Sequence, residues 1–404
     1  MRISQKAQKC GLSPMRKFHP YAVAAKAAGK TVYHLNIGQP DIQTPPAFFD
    51  ALRNFDSGVL AYAASGGTDE LLLAVQQYYR RLGVDYRTQD ILITTGGSEA
   101  LLMAMLCLLD EGDEVIIPEP FYPNYASFVA CAGGTIRPVR TTPENGYRYA
   151  TREQIEPLIC EKTRAILVTN PGNPTGTVLM PEEMQLLASI AREHDLFLIA
   201  DEVYREFIYD EGGKLSTFAS LEGMEEHLIL IDSVSKRFSA CGARIGALLS
   251  KNTDVIANCM KFCQARLAAA TLDQIGAAAL YQVEDTYFDA VRAEYRHRRD
   301  VCYQKLSEIP GVVVVEPRGA FYAMAKLPVE DADAFQQWLL TEFSDHGETV
   351  MFAPGASFYA TPGMGKSEIR IAYVLNDRDL SRALELLKLA IAQYQQADGK
   401  GRSV

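Results

Sequence analysis

The 404-residue chain is short of several things that would define other classes of protein. Its longest apolar run, residues 101–109, falls far below the ~20 residues a membrane-spanning helix needs. The first residues, MRISQKAQKCGLSP, have no apolar core, so no signal peptide is expected. The eight cysteines form no C-x-x-C. Cys259 and Cys263 fall on one helix face, but no nearby His or Cys completes a zinc set. Reduced thiols and a cytoplasmic location are the expectation, with no metal. A basic excess is missing too: 40 Lys and Arg stand against 50 Asp and Glu, a net charge of −10. Such a chain has no global attraction for nucleic acid or an anionic membrane. The 29 Gly and 19 Pro follow no register, which excludes collagen-like and low-complexity chains.

What is present is alternation. Apolar runs at 91–95, 114–117, 135–139, 164–169, 196–200, 228–232 and 243–249 are separated by helical patterns at 99–109, 122–133, 153–160 and 181–195. Runs that are apolar on both faces suit strands of a sheet covered by helices. The expected fold is therefore α/β, with a mostly parallel central sheet. After residue 249 the pattern changes. Helices are expected at 253–267 and 272–282, and a long one at 285–308 bridges to a second, α+β domain. That domain takes strands at 312–316, 319–326 and 369–373 and helices at 332–344 and 378–393, ahead of a polar tail after Gln395. The first residues hold Pro14, Pro20, Pro40, Pro45 and Pro46 and read as an arm with a short helix. The expected divisions are 1–48 (arm and part of a small domain), 49–284 (large domain) and 285–404 (bridging helix and small domain).

In open α/β sheets the ligand crevice lies beyond the carboxyl ends of the strands. Four expected strand ends carry reactive residues. TTGGSEA (94–100) sets Gly96, Gly97 and Ser98 at a helix N-terminus, which suits a phosphate or, equally, a simple capped turn. TNPGNPTG (169–176) presents Asn173 from a loop stiffened by two prolines. IADEVYREF (199–207) ends a strand on Asp201, with Tyr204 three residues on. A buried carboxylate costs several kcal/mol unless a cation meets it. IDSVSKRFSACGARIG (231–246) places Lys236 after an apolar strand. A lysine in a dry pocket attacks carbonyls. Ser233, Ser235 and Arg244 around it can clamp a phosphate. Each motif alone has a structural explanation: a turn, a cap, a core aromatic, a surface loop. Together they offer a carbonyl-reactive amine, a carboxylate, polar donors and a phosphate cradle. Pyridoxal 5′-phosphate needs that set, since its aldehyde forms a Schiff base with lysine and its ring nitrogen needs an acid to stay protonated.

With these motifs on the page, the chain resembles class I/II pyridoxal-phosphate aminotransferases of the aspartate aminotransferase fold, from Pro14 to Gln393. GGSEA, NPGNPTG, DEVY, SVSKRFSACGAR and EIRIAY follow in the family's order. The resemblance implies that Lys236 is the Schiff-base lysine and that Asp201 pairs with the ring nitrogen. It implies that Asn173 and Tyr204 bond the phenolic oxygen, and that Gly97, Ser98, Ser233 and Arg244 hold the phosphate, with Ser235 also counted as cofactor-binding. PEPFYPNY (118–125) supplies a ring to stack on the cofactor, Tyr122 by preference and Phe121 otherwise. Arg370 matches the arginine that grips the substrate α-carboxylate, and Gly38 adds a backbone donor. Tyr62 matches a tyrosine that reaches the phosphate of a neighbouring subunit, which implies a homodimer with shared active sites.

The implied reaction is ping-pong transfer of an amino group between an L-amino acid and a 2-oxo acid, with aspartate or an aromatic amino acid and 2-oxoglutarate as candidates. Arg16, Lys17 and Arg266 are the basic residues available for a side-chain carboxylate. A cysteine-conjugate β-lyase would use the same cofactor set and is the alternative. A non-catalytic cofactor-binding regulator is remote, since it would need a DNA-binding region and a different charge.

Overall fold

A computed structural model of the chain describes residues 1–11, 13–209 and 217–401. The strands assemble into three sheets. The largest has seven strands. From edge to edge these are Ile91–Thr94, Gly246–Leu249, Leu228–Ser233, Phe197–Asp201, Thr163–Thr169, Glu114–Glu119 and Thr135–Arg140. Every pairing is parallel except the two made by Gly246–Leu249, which runs antiparallel to both neighbours. The mostly parallel sheet expected from the alternation is what forms. The inner strands are Val-, Ile- and Leu-rich and wholly buried, because helices cover both faces.

That antiparallel strand begins at Gly246, where the sequence reading starts it at 243. Residues Cys241–Ala243 form a 3-10 turn instead, and Arg244 takes a left-handed backbone at φ 52°. Gly246 lies against the Gly96–Gly97 backbone, where any Cβ would overlap. The helix expected at 99–109 starts earlier, as Gly96–Leu108, so that its first turn ends the strand before it. The helix expected at 153–160 is only a turn, Arg152–Ile155, followed by Glu156–Leu158 as 3-10.

Two helices absent from the sequence reading, Pro46–Arg53 and Asp69–Arg81, pack against Thr271–Leu280. The 23-residue helix Asp285–Ser307 joins the two cores: Phe288 belongs to the large one, while Val291, Tyr295, Cys302 and Leu306 belong to the second. The second core surrounds a four-stranded antiparallel sheet, in the order Ala353–Pro354, Glu368–Ala372, Tyr322–Lys326 and Val313–Val314. Thr31–His34 pairs in parallel with Glu348–Met351, which fastens the start of the chain to its last quarter. The expected polar tail continues instead as helix, Asp377–Gly401. Among the described residues no helix is long and apolar enough to cross a membrane.

Candidate active site

One cavity of about 350 Å³ opens at the carboxyl ends of the parallel strands and reaches to the four-stranded sheet. Every residue given a cofactor or substrate role by the resemblance lines it except Tyr62, while the alternatives Phe121, Lys17 and Arg266 do not. Tyr62 stands 83% exposed and is not part of it.

The large sheet delivers most of the wall. Asp201 ends a central strand, paired with Thr169 on one side and Ile231 on the other. Its carboxylate accepts from the Tyr125 hydroxyl at 2.6 Å and from the Val203 N–H at 3.3 Å. No Lys or Arg among the described residues pairs with it. Burial therefore pushes its pKa up to about 6, against the downward pull of the Tyr125 hydrogen bond. A carboxyl in that state is a receptor for a buried cation.

Lys236 lies in the short helix Val234–Arg237 directly after the strand Leu228–Ser233. Its Nζ is half-buried, donates to the Gly38 carbonyl at 2.9 Å and lies 3.7 Å from the Cys241 sulfur. Ser233 Oγ donates to Ser235 Oγ at 2.8 Å, and Arg244 reaches Ser235 Oγ at 3.5 Å. These groups face the first turn of Gly96–Leu108, where Gly97 and Ser98 leave backbone N–H groups unpaired by the helix. Gly96 has φ +75°, and a Cβ there would overlap the Arg244 guanidinium. Only glycine lets that cation lie over the helix end.

Asn173 donates to the Tyr204 hydroxyl at 3.3 Å. The Tyr204 phenol is held well above its usual pKa by burial and by neighbouring Tyr322, so it stays protonated as a donor. Tyr122 lines the cavity, whereas Phe121 is buried behind it and stacks near Tyr125, so the second of the two candidate rings is out of reach.

From the second core, Arg370 enters on the strand Glu368–Ala372. It donates to Asn173 Oδ1 at 3.0 Å and to the Asn36 carbonyl at 2.7 Å. Its guanidinium lies over the Tyr322 ring, 4.5 Å from the centroid. Gly38 is pressed so close to Tyr322 that a Cβ would overlap its hydroxyl.

Four polar residues absent from the sequence reading also line the wall, Tyr125, Tyr322, Cys241 and Asn36, with Ile37, Leu101 and Val203 as its apolar part. Tyr125 had a signal, since it stands three residues after Tyr122 in the helix expected at 122–133; the helix starts only at Asn124, and the two rings meet edge to face with centroids 5.5 Å apart. Tyr322 had none. Its hydroxyl lies 3.0 Å from that of Tyr204 only because the two cores meet here.

The donor set fits pyridoxal phosphate. It combines a glycine-walled anion cradle with Arg244 above it, a buried acid without a cation, and an amine between them. These features define a pyridoxal-phosphate enzyme site on an α/β fold. The chain belongs to the aminotransferase class I and II family, whose model matches residues 30–387. It is 32% identical over 379 residues to the aspartate aminotransferase of Bacillus subtilis, covering 91% of this chain and 93% of that relative. It is 30% identical to aromatic-amino-acid aminotransferase 2 of Thermococcus litoralis, covering 97% and 99%. Among solved structures, a mutant aspartate aminotransferase of Thermus thermophilus superposes with a TM-score of 0.88 at 28% identity, covering 96% of this chain and all of that one. An alanine aminotransferase from Pyrococcus furiosus gives 0.89 at 28% identity, covering 97% and 100%. The protein is a pyridoxal-phosphate-dependent transaminase acting on amino and 2-oxo acids. These matches give no support to the β-lyase alternative.

Proposed function

We propose that this transaminase works on a dicarboxylic amino acid and that Arg16 holds the distal carboxylate. The observation that carries the proposal is the charge around the cavity: Arg16, Lys236, Arg244 and Arg370 face a single carboxylate, Asp201. Arg244 suits the cofactor phosphate, Asp201 the ring nitrogen and Arg370 the substrate α-carboxylate. Arg16 is left over. Among the described residues no acid pairs with it, although its neighbour Lys17 is bound to Asp333 at 2.6 Å. Arg266, the third basic candidate, is spent outside the cavity on Glu99 at 3.0 Å. Arg16 is exposed at the cavity edge, where a second carboxylate on the substrate can meet it. The aromatic walls, Tyr122 and Tyr322, favour an aromatic amino acid as the second reading.

In this reading the bound cofactor supplies the electron-withdrawing ring that stabilises negative charge at the substrate Cα. Lys236 Nζ takes and returns the Cα proton. Asp201 carries the negative charge opposite the ring nitrogen. Asn173 and the Tyr204 hydroxyl hold the phenolic oxygen, and Tyr122 stacks on the ring. Gly97, Ser98, Ser233, Ser235 and Arg244 hold the phosphate. Arg370 fixes the α-carboxylate, with Gly38 beside it, and so orients the Cα–H bond toward Lys236. Amino donor and oxo-acid acceptor use this pocket in turn, which gives ping-pong kinetics.

The same reading makes the active unit a homodimer with shared sites, because Tyr62 projects outward beside exposed Val59 and Leu60. The division 1–48, 49–284 and 285–404 is supported by the pairing of Thr31–His34 with Glu348–Met351. A cytoplasmic setting suits eight free cysteines.

The test is a screen of the standard amino acids with 2-oxoglutarate as acceptor. Aspartate or glutamate is expected to give the highest kcat/KM. Arg16→Gln should lower it about 10- to 100-fold, the worth of a charged hydrogen bond. Lys17→Ala should leave the preference in place. A preference for phenylalanine, with no effect of Arg16→Gln on aspartate, would overturn the dicarboxylate reading. Lys236→Ala should abolish turnover and the visible absorbance of the lysine-bound cofactor, and retention of both would overturn the catalytic assignment.

A further inference from the structure

Away from the cavity, two cysteines from distant parts of the chain meet at the surface. Cys10 follows the helix Gln5–Lys9, which packs against Asn124–Ala132, the helix that carries Cys131. The two sulfurs are 3.6 Å apart across 121 positions of sequence. We infer that Cys10 and Cys131 are a dithiol that a low-molecular-weight disulfide oxidises to an intrachain disulfide, stapling the first helix to the large lobe.

Three observations support this. First, the sulfurs need to approach by only about 1.5 Å to reach bonding distance near 2.05 Å. The helix Gln5–Lys9 buries none of its residues, so it can shift that far without disturbing a core. Second, the pair is accessible: Cys131 is exposed and Cys10 half-buried. The protein's other close cysteines differ in this respect. Cys107 bonds Cys259, but Cys259 and its neighbour Cys263 are fully buried and meet no oxidant. Third, the first helix is held lightly. Among the described residues its one ion pair, Lys6 to Glu111, is 3.7 Å long and exposed, and Cys10 donates a long hydrogen bond to the Ser127 carbonyl at 3.8 Å, so a covalent link would dominate its attachment.

The chemistry balances as two exchanges. Cys131 is the more exposed of the two sulfurs, and although burial and Cys10 hold its pKa up, its thiolate fraction attacks one sulfur of the small disulfide and displaces a thiolate. The Cys10 sulfur then attacks the Cys131 sulfur of the mixed disulfide, expelling the second small thiolate. Two protein thiols lose two electrons, the small disulfide gains them, and the two protons leave on the two small thiols. Cys10 stands six positions before Arg16, so the staple would anchor the segment that brings Arg16 to the cavity. The inference itself does not depend on the substrate assignment.

The test treats reduced holoenzyme with oxidised glutathione, blocks remaining thiols by alkylation, and maps peptides without reductant. The expected product is a linked pair of peptides containing Cys10 and Cys131, with no glutathione retained on either. Amide exchange across residues 5–9 should slow about tenfold in the oxidised form. Cys10→Ser should instead keep glutathione on Cys131 as a stable adduct. The inference is overturned if wild-type Cys131 keeps glutathione while Cys10 is alkylated, or if exchange at residues 5–9 is the same in both forms.

Discussion

Asp201 and Asp232 stand at the ends of neighbouring strands and both are buried, yet their surroundings are opposite. Asp232 is enclosed by the chain's own cations: Arg237 in a close ion pair and Arg205 at 3.5 Å, with the Tyr79 hydroxyl donating at 2.8 Å. Burial pushes its pKa up, but the two guanidinium groups outweigh burial and hold it below the usual carboxylate range. Asp201 receives only a phenol and an amide, and burial leaves it at about 6. Where the fold must close, charge is matched internally. Where a ligand is to sit, charge is left unmatched. Arg16 is also without an acid partner among the described residues, but it is exposed at the cavity edge rather than buried.

The sharpest way to break this comparison is Asp232→Ala. It leaves the buried Arg237 without an acid partner, while Arg205 keeps Glu202 at 2.9 Å, and should cost about 3–5 kcal/mol of stability, read by denaturant unfolding of the apoprotein. Asp201→Asn should act in the other direction. A carboxyl whose pKa is raised by folding stabilises the fold below about pH 4 and loses that contribution as pH rises through its folded value. At about pH 8 the ionised Asp201 therefore costs the apoprotein about 3 kcal/mol, and Asn removes most of this. The variant should be more stable than wild type there and equal to it below about pH 4, while its affinity for pyridoxal phosphate falls. Equal stabilities at both pH values would break the contrast. The smallest effect is expected from Tyr125→Phe. Losing one hydrogen bond to a charged group should raise the Asp201 midpoint by about one unit, read by carboxyl titration in the apoprotein.

The sequence made the site legible because its chemistry stands at strand ends. Asp201, Asn173 and Lys236 each end or closely follow an apolar run, and a parallel sheet gathers such positions on one edge. The helix Asp69–Arg81 went unread although its signals are local: Thr68 caps it, and Leu71, Ala74, Val75 and Tyr78 form a buried stripe. That helix supplies Tyr79, which helps to set Asp232 apart from Asp201. Nothing local distinguishes those two aspartates, because Arg205, Arg237 and Tyr79 converge on one of them only in three dimensions. Tyr322 and Asn36 were hidden for the same reason. The pairing of Thr31–His34 with Glu348–Met351 escaped because four-residue strands at opposite ends of a chain carry too little periodicity.

The most direct measurement is the titration of the Asp201 carboxyl, read as the infrared difference between wild type and Asp201→Asn, with and without pyridoxal phosphate. The apoprotein should titrate near pH 6, and the loaded enzyme should stay ionised well below that. An apoprotein midpoint below about 4, or one that loading does not move, would show that the acid is satisfied without a ligand and would contradict the account.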